Sequence, residues 1–177
     1  MSPAELDDRA FSLVVKRHFR IVERWVRFPQ GPMDSKKLGI LGEKIAEKYL
    51  KKKGYRILDK NYSSKFVSGP QRGEIDIVAK PRRNILDILR GEKSDTIHFV
   101  EVKALLSKNG QEPFSDISPE EKFNLAKKRK IIKMAEGWLI EKKIPLDSKW
   151  QIDVISIKIN LGNKKAKILY FSNVACE

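Results

Sequence analysis

Gly73-Glu74-Ile75-Asp76-Ile77-Val78-Ala79, followed after a polar interruption by His98-Phe99-Val100-Glu101-Val102-Lys103-Ala104, decides how this chain is read. Both runs are short, rich in β-branched residues and bounded by turn-formers and charge, which predicts two strands. Alternate side chains of a strand share a face. Glu74, Asp76 and Val78 therefore point one way and Ile75 and Ile77 the other. In the second strand Phe99, Glu101 and Lys103 oppose Val100, Val102 and Ala104. If the strands pair, carboxylates from both meet on one surface beside a lysine. Two or three carboxylates are what a hard cation such as Mg²⁺ takes. A lysine there can orient water or neutralise charge developing on a phosphate. The plain alternative is a pair of half-exposed strands whose polar faces meet solvent, since Glu-x-Lys by itself is a weak pattern.

The 177 residues suffice for one domain plus an appendage. With 41% hydrophobic and 34% charged residues the composition is that of a globular protein. A net charge of +14 and a pI near 9.8 favour nucleic acid or an anionic membrane surface as partner and are silent on fold. The single cysteine, Cys176, excludes an intramolecular disulfide and is compatible with a reducing compartment. Two histidines and one cysteine do not make up the four ligands of a structural zinc site. No apolar run is long enough to span a bilayer, and the N-terminus lacks the order of a signal peptide, so a cytoplasmic protein is expected.

Working outward from the two central strands, residues 1–33 read as an appendage: an amphipathic helix and linker ahead of a domain over 34–177. Phe11, Val14, Val15, Phe19, Val22, Trp25 and Val26 recur at helical spacing among basic residues, and Phe28-Pro29-Gln30-Gly31-Pro32 stops the pattern. Such a helix can dock on its own domain, bind a partner, lie on a membrane or track a phosphate backbone. Leu38 to Lys53 predicts a second helix capped by Gly54. Glu43 sits at the edge of its apolar stripe, either paired with neighbouring lysines or leaning over the sheet toward Asp76. Tyr55 to Tyr62 predicts the first strand of the domain. The insert from Pro81 to Asp95 is too long for a tight hairpin and has room for a short helix. Ser118-Pro119-Glu120-Glu121 is a helix start, with Ser as N-cap and Pro at the first helical position. That helix runs to about Lys142 and places Lys127 on its buried side, unlike Lys128 and Lys130. Trp150 to Ile157 and Ala166 to Phe171 complete the strands. Asp153, among apolar neighbours, reads as a hydrogen-bonded structural acid in preference to part of an outer shell. The order helix, strand, strand, strand, helix, strand, strand predicts an α/β domain with a mixed sheet flanked by helices.

Leu38-Gly39-Ile40-Leu41-Gly42-Glu43-Lys44-Ile45-Ala46-Glu47-Lys48-Tyr49-Leu50, then Lys53-Gly54-Tyr55-Arg56-Ile57-Leu58 and Asn61-Tyr62, resemble the opening of the YraN family. Gly73 to Ala79 and Phe99 to Lys103 resemble its two central motifs. Lys127, Ala135 to Leu139 and Ile152 to Ile155 resemble its later blocks. The resemblance covers about Lys37 to Phe171 in several ordered motifs. It implies a restriction-endonuclease-like fold of the PD-(D/E)XK superfamily, close to Holliday-junction resolvases, whose nucleases often pair subunits to cut two strands. It also implies that Glu43, Asp76 and Glu101 form the acidic set and that Lys103 is the catalytic lysine. The chain departs from the family in its N-terminal extension, its longer insert and Leu105, where the family commonly carries a basic residue. Those departures bear on substrate choice more than on the metal site.

The resulting expectation is a metal-dependent endonuclease acting on DNA phosphodiesters, with branched or otherwise structured DNA within its range. Glu43, Asp76, Glu101 and the Val102 carbonyl would hold Mg²⁺ or Mn²⁺, Lys103 would serve the reacting phosphate, and Lys127, Lys128 and Lys130 would meet nucleic acid. A homodimer formed through the N-terminal helix is a further expectation. The rival is a nucleic-acid-binding or assembly module that keeps the fold and does not cut; a membrane-surface adaptor would rest on the N-terminal helix alone.

Overall fold

The computed structural model describes residues 17–18, 24–25, 33–65, 69, 73–82, 95–107 and 125–174. In chain order the elements are β1 (Arg17–His18), β2 (Arg24–Trp25), α1 (Ser35–Lys52), β3 (Tyr55–Tyr62), β4 (Ile75–Pro81), β5 (Ile97–Leu106), α2 (Leu125–Glu141), β6 (Trp150–Asn160) and β7 (Lys165–Phe171). Five full strands lie in the order β7-β6-β5-β4-β3, and the two-residue β1 and β2 pair with β7. β5 and β6 run parallel and the other pairs antiparallel, so the sheet is mixed. A parallel pair needs a crossover, and α2 lies in the one between β5 and β6.

Helix α1 starts where Asp34 accepts the Lys37 backbone N–H at 2.7 Å and ends before Gly54, whose φ of +86° only glycine adopts at little cost. Its apolar stripe of Leu41, Ile45, Ala46, Tyr49 and Leu50 packs on one sheet face, against Ile77, Ala79, Val100, Ile155, Ile157 and Ile159. The stripe of α2, Ile131, Met134, Ala135, Trp138 and Leu139, covers the other face over Val78, Phe99 and Ile152. Ile77 and Val100 thus face one core and Val78 and Phe99 the other, as alternation predicts, whereas Ile75, expected on the side of Ile77, packs in the core under α2. Gly42 lets α1 approach β5 closely: a Cβ there would meet the Ala104 Cβ at 2.6 Å.

Asp153 is a structural acid. It is fully buried, and its carboxylate meets His98 Nδ1 at 2.6 Å, Gln151 Nε2 at 2.7 Å, the Asn173 N–H at 2.8 Å and the Tyr170 hydroxyl. Every lone pair that burial takes from water thus regains a donor. The same burial, with the Asp153 charge, drives the Tyr170 hydroxyl pKa well above its ordinary value.

Helix α1 precedes the five full strands. The further helix expected over Phe11 to Val26 is not what its four described residues form: Arg17–His18 and Arg24–Trp25 are extended and pair with β7. The stretch is rich in Val, Ile, Phe and Trp, which suit strands as well as a helical stripe, and β7 offers the free N–H and C=O groups of a sheet edge. The Ser118 helix start and nearly all of the insert after Pro81 lie outside the described residues. At the base of that insert Lys80 pairs with Asp95 at 3.2 Å.

Candidate active site

The ladder between β4 and β5 runs through Ala79↔His98, Val78↔Phe99 and Ile77↔Val100. The next residues on the two strands are Asp76 and Glu101, so the acids flank the point where pairing stops. Asp76 there accepts the Val102 backbone N–H at 2.6 Å through its own carboxylate. An extended residue directs its N–H and C=O to the same side, so the Val102 carbonyl also faces the Asp76 side of β5. Glu101 and Lys103, two residues apart, share a face; the Lys103 Nζ lies 2.9 Å from Glu101 Oε1. Helix α2 adds Lys127, whose ammonium contacts the same oxygen.

Glu43 reaches the site from α1, on the far side of a cleft of about 380 Å³ that Ile40, Lys44, Glu47, Lys60, Asn61, Asp76 and Ile77 also line. Its carboxylate accepts the Asn61 side-chain N–H at 2.8 Å, while the lysines of its own helix are exposed. Of those, Lys51 bonds Glu47 at 2.6 Å. Lys128 is half-buried on α2 and Lys130 is exposed, its Cβ 3.6 Å from where a Gly73 Cβ would stand. Of the three lysines expected to meet nucleic acid, Lys127 is the one seen on Glu101. Leu105 is in register with Lys158 of β6, which brings a basic residue to the row where the family resemblance expects one at 105.

Electrostatics follow from this crowding. Burial first, then the negative charges of Glu101 and Glu43, push the Asp76 carboxyl up to about 7, against the opposing pull of the Val102 N–H and Lys127. Burial draws Lys103 down, but its bonds to Lys127 and Glu101 and the acids around it leave its pKa raised. Burial dominates at Lys127 and, with Lys103 close by, lowers it despite Glu101. Among the described residues, no three Asp, Glu, His or Cys side chains stand together as a preformed metal cage. Glu101 is turned to two lysines and Glu43 to Asn61. Mg²⁺ and Mn²⁺ do not require such a cage. They are held by one or two carboxylates with water and substrate phosphate completing the shell. The carboxylates of Asp76 and Glu101 and the carbonyl of Val102 are hard oxygen donors of that kind, so the residues fit such an ion.

A family model described as "Uncharacterised protein family UPF0102" matches residues 42–157, a span that holds Glu43, Asp76, Glu101, Lys103 and Lys127. A UPF0102 protein of Alkaliphilus oremlandii (strain OhILAs) is 37% identical over 139 residues, 78% of this chain and 97% of that protein. This chain belongs to UPF0102, the YraN family. Other UPF0102 proteins that it resembles include one of Campylobacter jejuni (strain 81-176), 38% identical over 120 residues, 68% of this chain and 82% of that protein. One of Clostridium botulinum (strain 657) is 32% identical over 139 residues, 78% of this chain and 94% of that protein. None of these names states a reaction.

One residue at this UPF0102 site escaped the reading of the sequence. Asn61 holds Glu43 from a left-handed backbone with φ of +50°, and it is skipped in the β3–β4 register between Lys60↔Ile77 and Tyr62↔Ile75. Asn tolerates that conformation better than any residue but glycine. An Asn near the end of an otherwise alternating strand was the available signal of a left-handed residue there.

Proposed function

We propose that this protein is a metal-dependent endonuclease that hydrolyses phosphodiester bonds in duplex or branched DNA. The observation that carries this reading is the meeting of Asp76, Glu101 and Lys103 at one spot where the β4–β5 ladder ends, with Glu43 across the cleft. Asp76, Glu101 and the Val102 carbonyl would hold Mg²⁺ or Mn²⁺, and Glu43 would complete the acidic set. Such an ion polarises a phosphoryl oxygen and lowers the pKa of attacking water. The protein's own groups do the rest. The Val102 N–H fixes the Asp76 carboxylate, Asn61 aims Glu43, and the Lys103 ammonium neutralises charge that builds on the phosphate. The net charge of +14 draws in the polyanion, so binding should be steeply salt-dependent.

A rival reading, a nucleic-acid-binding module that does not cut, is favoured by the double ion pair at Glu101, which a purely structural site would also use. A cleavage assay separates the two. Duplex, single-stranded, flap and four-way DNA, with RNA of the duplex sequence as control, are incubated with Mg²⁺ or Mn²⁺ and with chelator. The expected result is cation-dependent cutting of at least one DNA, reduced roughly 100-fold or more in Asp76→Asn and Lys103→Met while Asp76→Asn still binds DNA. No product from any substrate with either ion would overturn the enzyme and leave the binding module.

A further inference from the structure

Glu101 carries more positive charge than one carboxylate requires. It is 6% exposed, and both the Lys103 and the Lys127 ammonium groups stand on its Oε1. The two lysines arrive differently. Lys103 lies two residues along the same strand, so the pleat itself keeps it beside Glu101. Lys127 comes from α2, one, two and three turns before Ile131, Met134 and Trp138, all buried on the helix's inner stripe. Its stem follows that stripe while its side chain stays 33% exposed, so the ammonium has an outlet that Glu101 lacks. A divalent ion on Glu101 would face two ammonium groups at close range. Their side chains are equally exposed, 34% at Lys103 and 33% at Lys127, so the difference lies in the backbone: Lys103 is fixed beside Glu101 by its own strand, and Lys127, reaching in from another element, is the one that can leave.

We propose that Lys127 is a surrogate cation. In the metal-free protein its ammonium holds Glu101 in place; an arriving divalent ion displaces it, and the freed ammonium binds a phosphate of the nucleic acid. Lys127 is then a positioning residue that couples ion entry to phosphate binding. This inference rests on the metal-nuclease reading above.

The two halves of the role have opposite signs, which makes the test specific. Mn²⁺ binding without nucleic acid is measured by electron paramagnetic resonance or calorimetry on the full chain. DNA binding is measured separately, with a short duplex and Mn²⁺. Lys127→Met keeps the apolar stem and removes the charge. It should bind Mn²⁺ at least roughly fivefold more tightly and the duplex several-fold more weakly, since one nearby unit charge is worth that much in part-solvated protein. Lys127→Arg, which keeps the charge, should stay within about twofold of the wild type in Mn²⁺ affinity. Circular dichroism and a thermal melt establish that each variant is folded. A folded Lys127→Met whose Mn²⁺ affinity is unchanged or weaker, beside a wild type that binds Mn²⁺, overturns the surrogate role and leaves the metal site standing. A wild type that does not bind Mn²⁺ at all overturns the metal site, and the surrogate role with it.

Discussion

Asp76 shows how a functional position costs stability. Burial and the negative charges of Glu101 and Glu43 push its carboxyl from the ordinary 3.8 up to about 7 in the folded protein. A folded pKa above the unfolded one means that the stability tied to this group is complete below the unfolded value and is lost as pH rises through the folded one. The metal-free protein should therefore weaken between about pH 4 and pH 7 on account of Asp76. Asp76→Asn keeps an acceptor for the Val102 N–H and removes the charge. In chelator at pH 8 it should melt higher than the wild type, by about 1 kcal/mol or more, or roughly 2–4 °C. The gain should shrink as pH falls toward 4. Added Mn²⁺ should reverse the order, because an ion bound only by the folded wild type raises its melting temperature. Equal melting of both forms at pH 8 without ion would show that Asp76 ionises as a solvated carboxylate. At this scale the sequence was informative where period decided: strand alternation put Glu101 and Lys103 on one face of β5, where the lysine stands 2.9 Å from the carboxylate. It said less about Asn61, because a single left-handed residue interrupts no period.

At the scale of elements, α1 carries Glu43 and Gly42 governs how close α1 can come. Adding a Cβ at Gly42 would bring it to 2.6 Å from the Ala104 Cβ. That atom belongs to a central strand paired with β6, so it cannot swing away as the end of a flexible side chain could. Gly42→Ala should therefore destabilise the fold by about 1–3 kcal/mol, the usual cost of overpacking, although Ala is the better helix former. The strain should also move Glu43 from the Asn61 side of the cleft, so Mn²⁺ affinity should fall with stability. Calorimetric melts and Mn²⁺ titrations check both. A stabilised Gly42→Ala would mean that α1 rides further from the sheet. The elements themselves were legible: β3 over Tyr55 to Tyr62, the two helical stripes and the strand pair around Asp153 all follow from short-range periodicity. Where period was ambiguous the reading failed, as at Arg17–His18 and Arg24–Trp25. Val, Ile, Phe and Trp at that spacing satisfy a helical stripe, and only the open edge of β7 tips the balance to strand.

For the whole molecule the sheet has two ends, and they are finished differently. β3 is the strand at one end, while β7 at the other is met by Arg17–His18 near Phe171 and by Arg24–Trp25 near Ala166. Unpaired strand edges recruit other chains, and short added strands are one way that proteins blunt them. No helix among the described residues is long and apolar enough to cross a membrane. Arg17–His18 and Arg24–Trp25 pair with β7, which suits strands that cover an edge better than the dimerisation helix that the sequence suggested. Deleting Met1 to Gln30 should then raise self-association, where a dimerisation helix would lower it. The deleted residues hold six basic and four acidic side chains, so the net charge falls only from +14 to +12 and charge repulsion is nearly unchanged. Light scattering on full-length and truncated protein at matched concentration reads the difference. Larger species in the truncated sample, with Mn²⁺ binding retained, are the expected result. A full-length dimer that becomes a monomer on truncation would return the N-terminal stretch to the role of an assembly element.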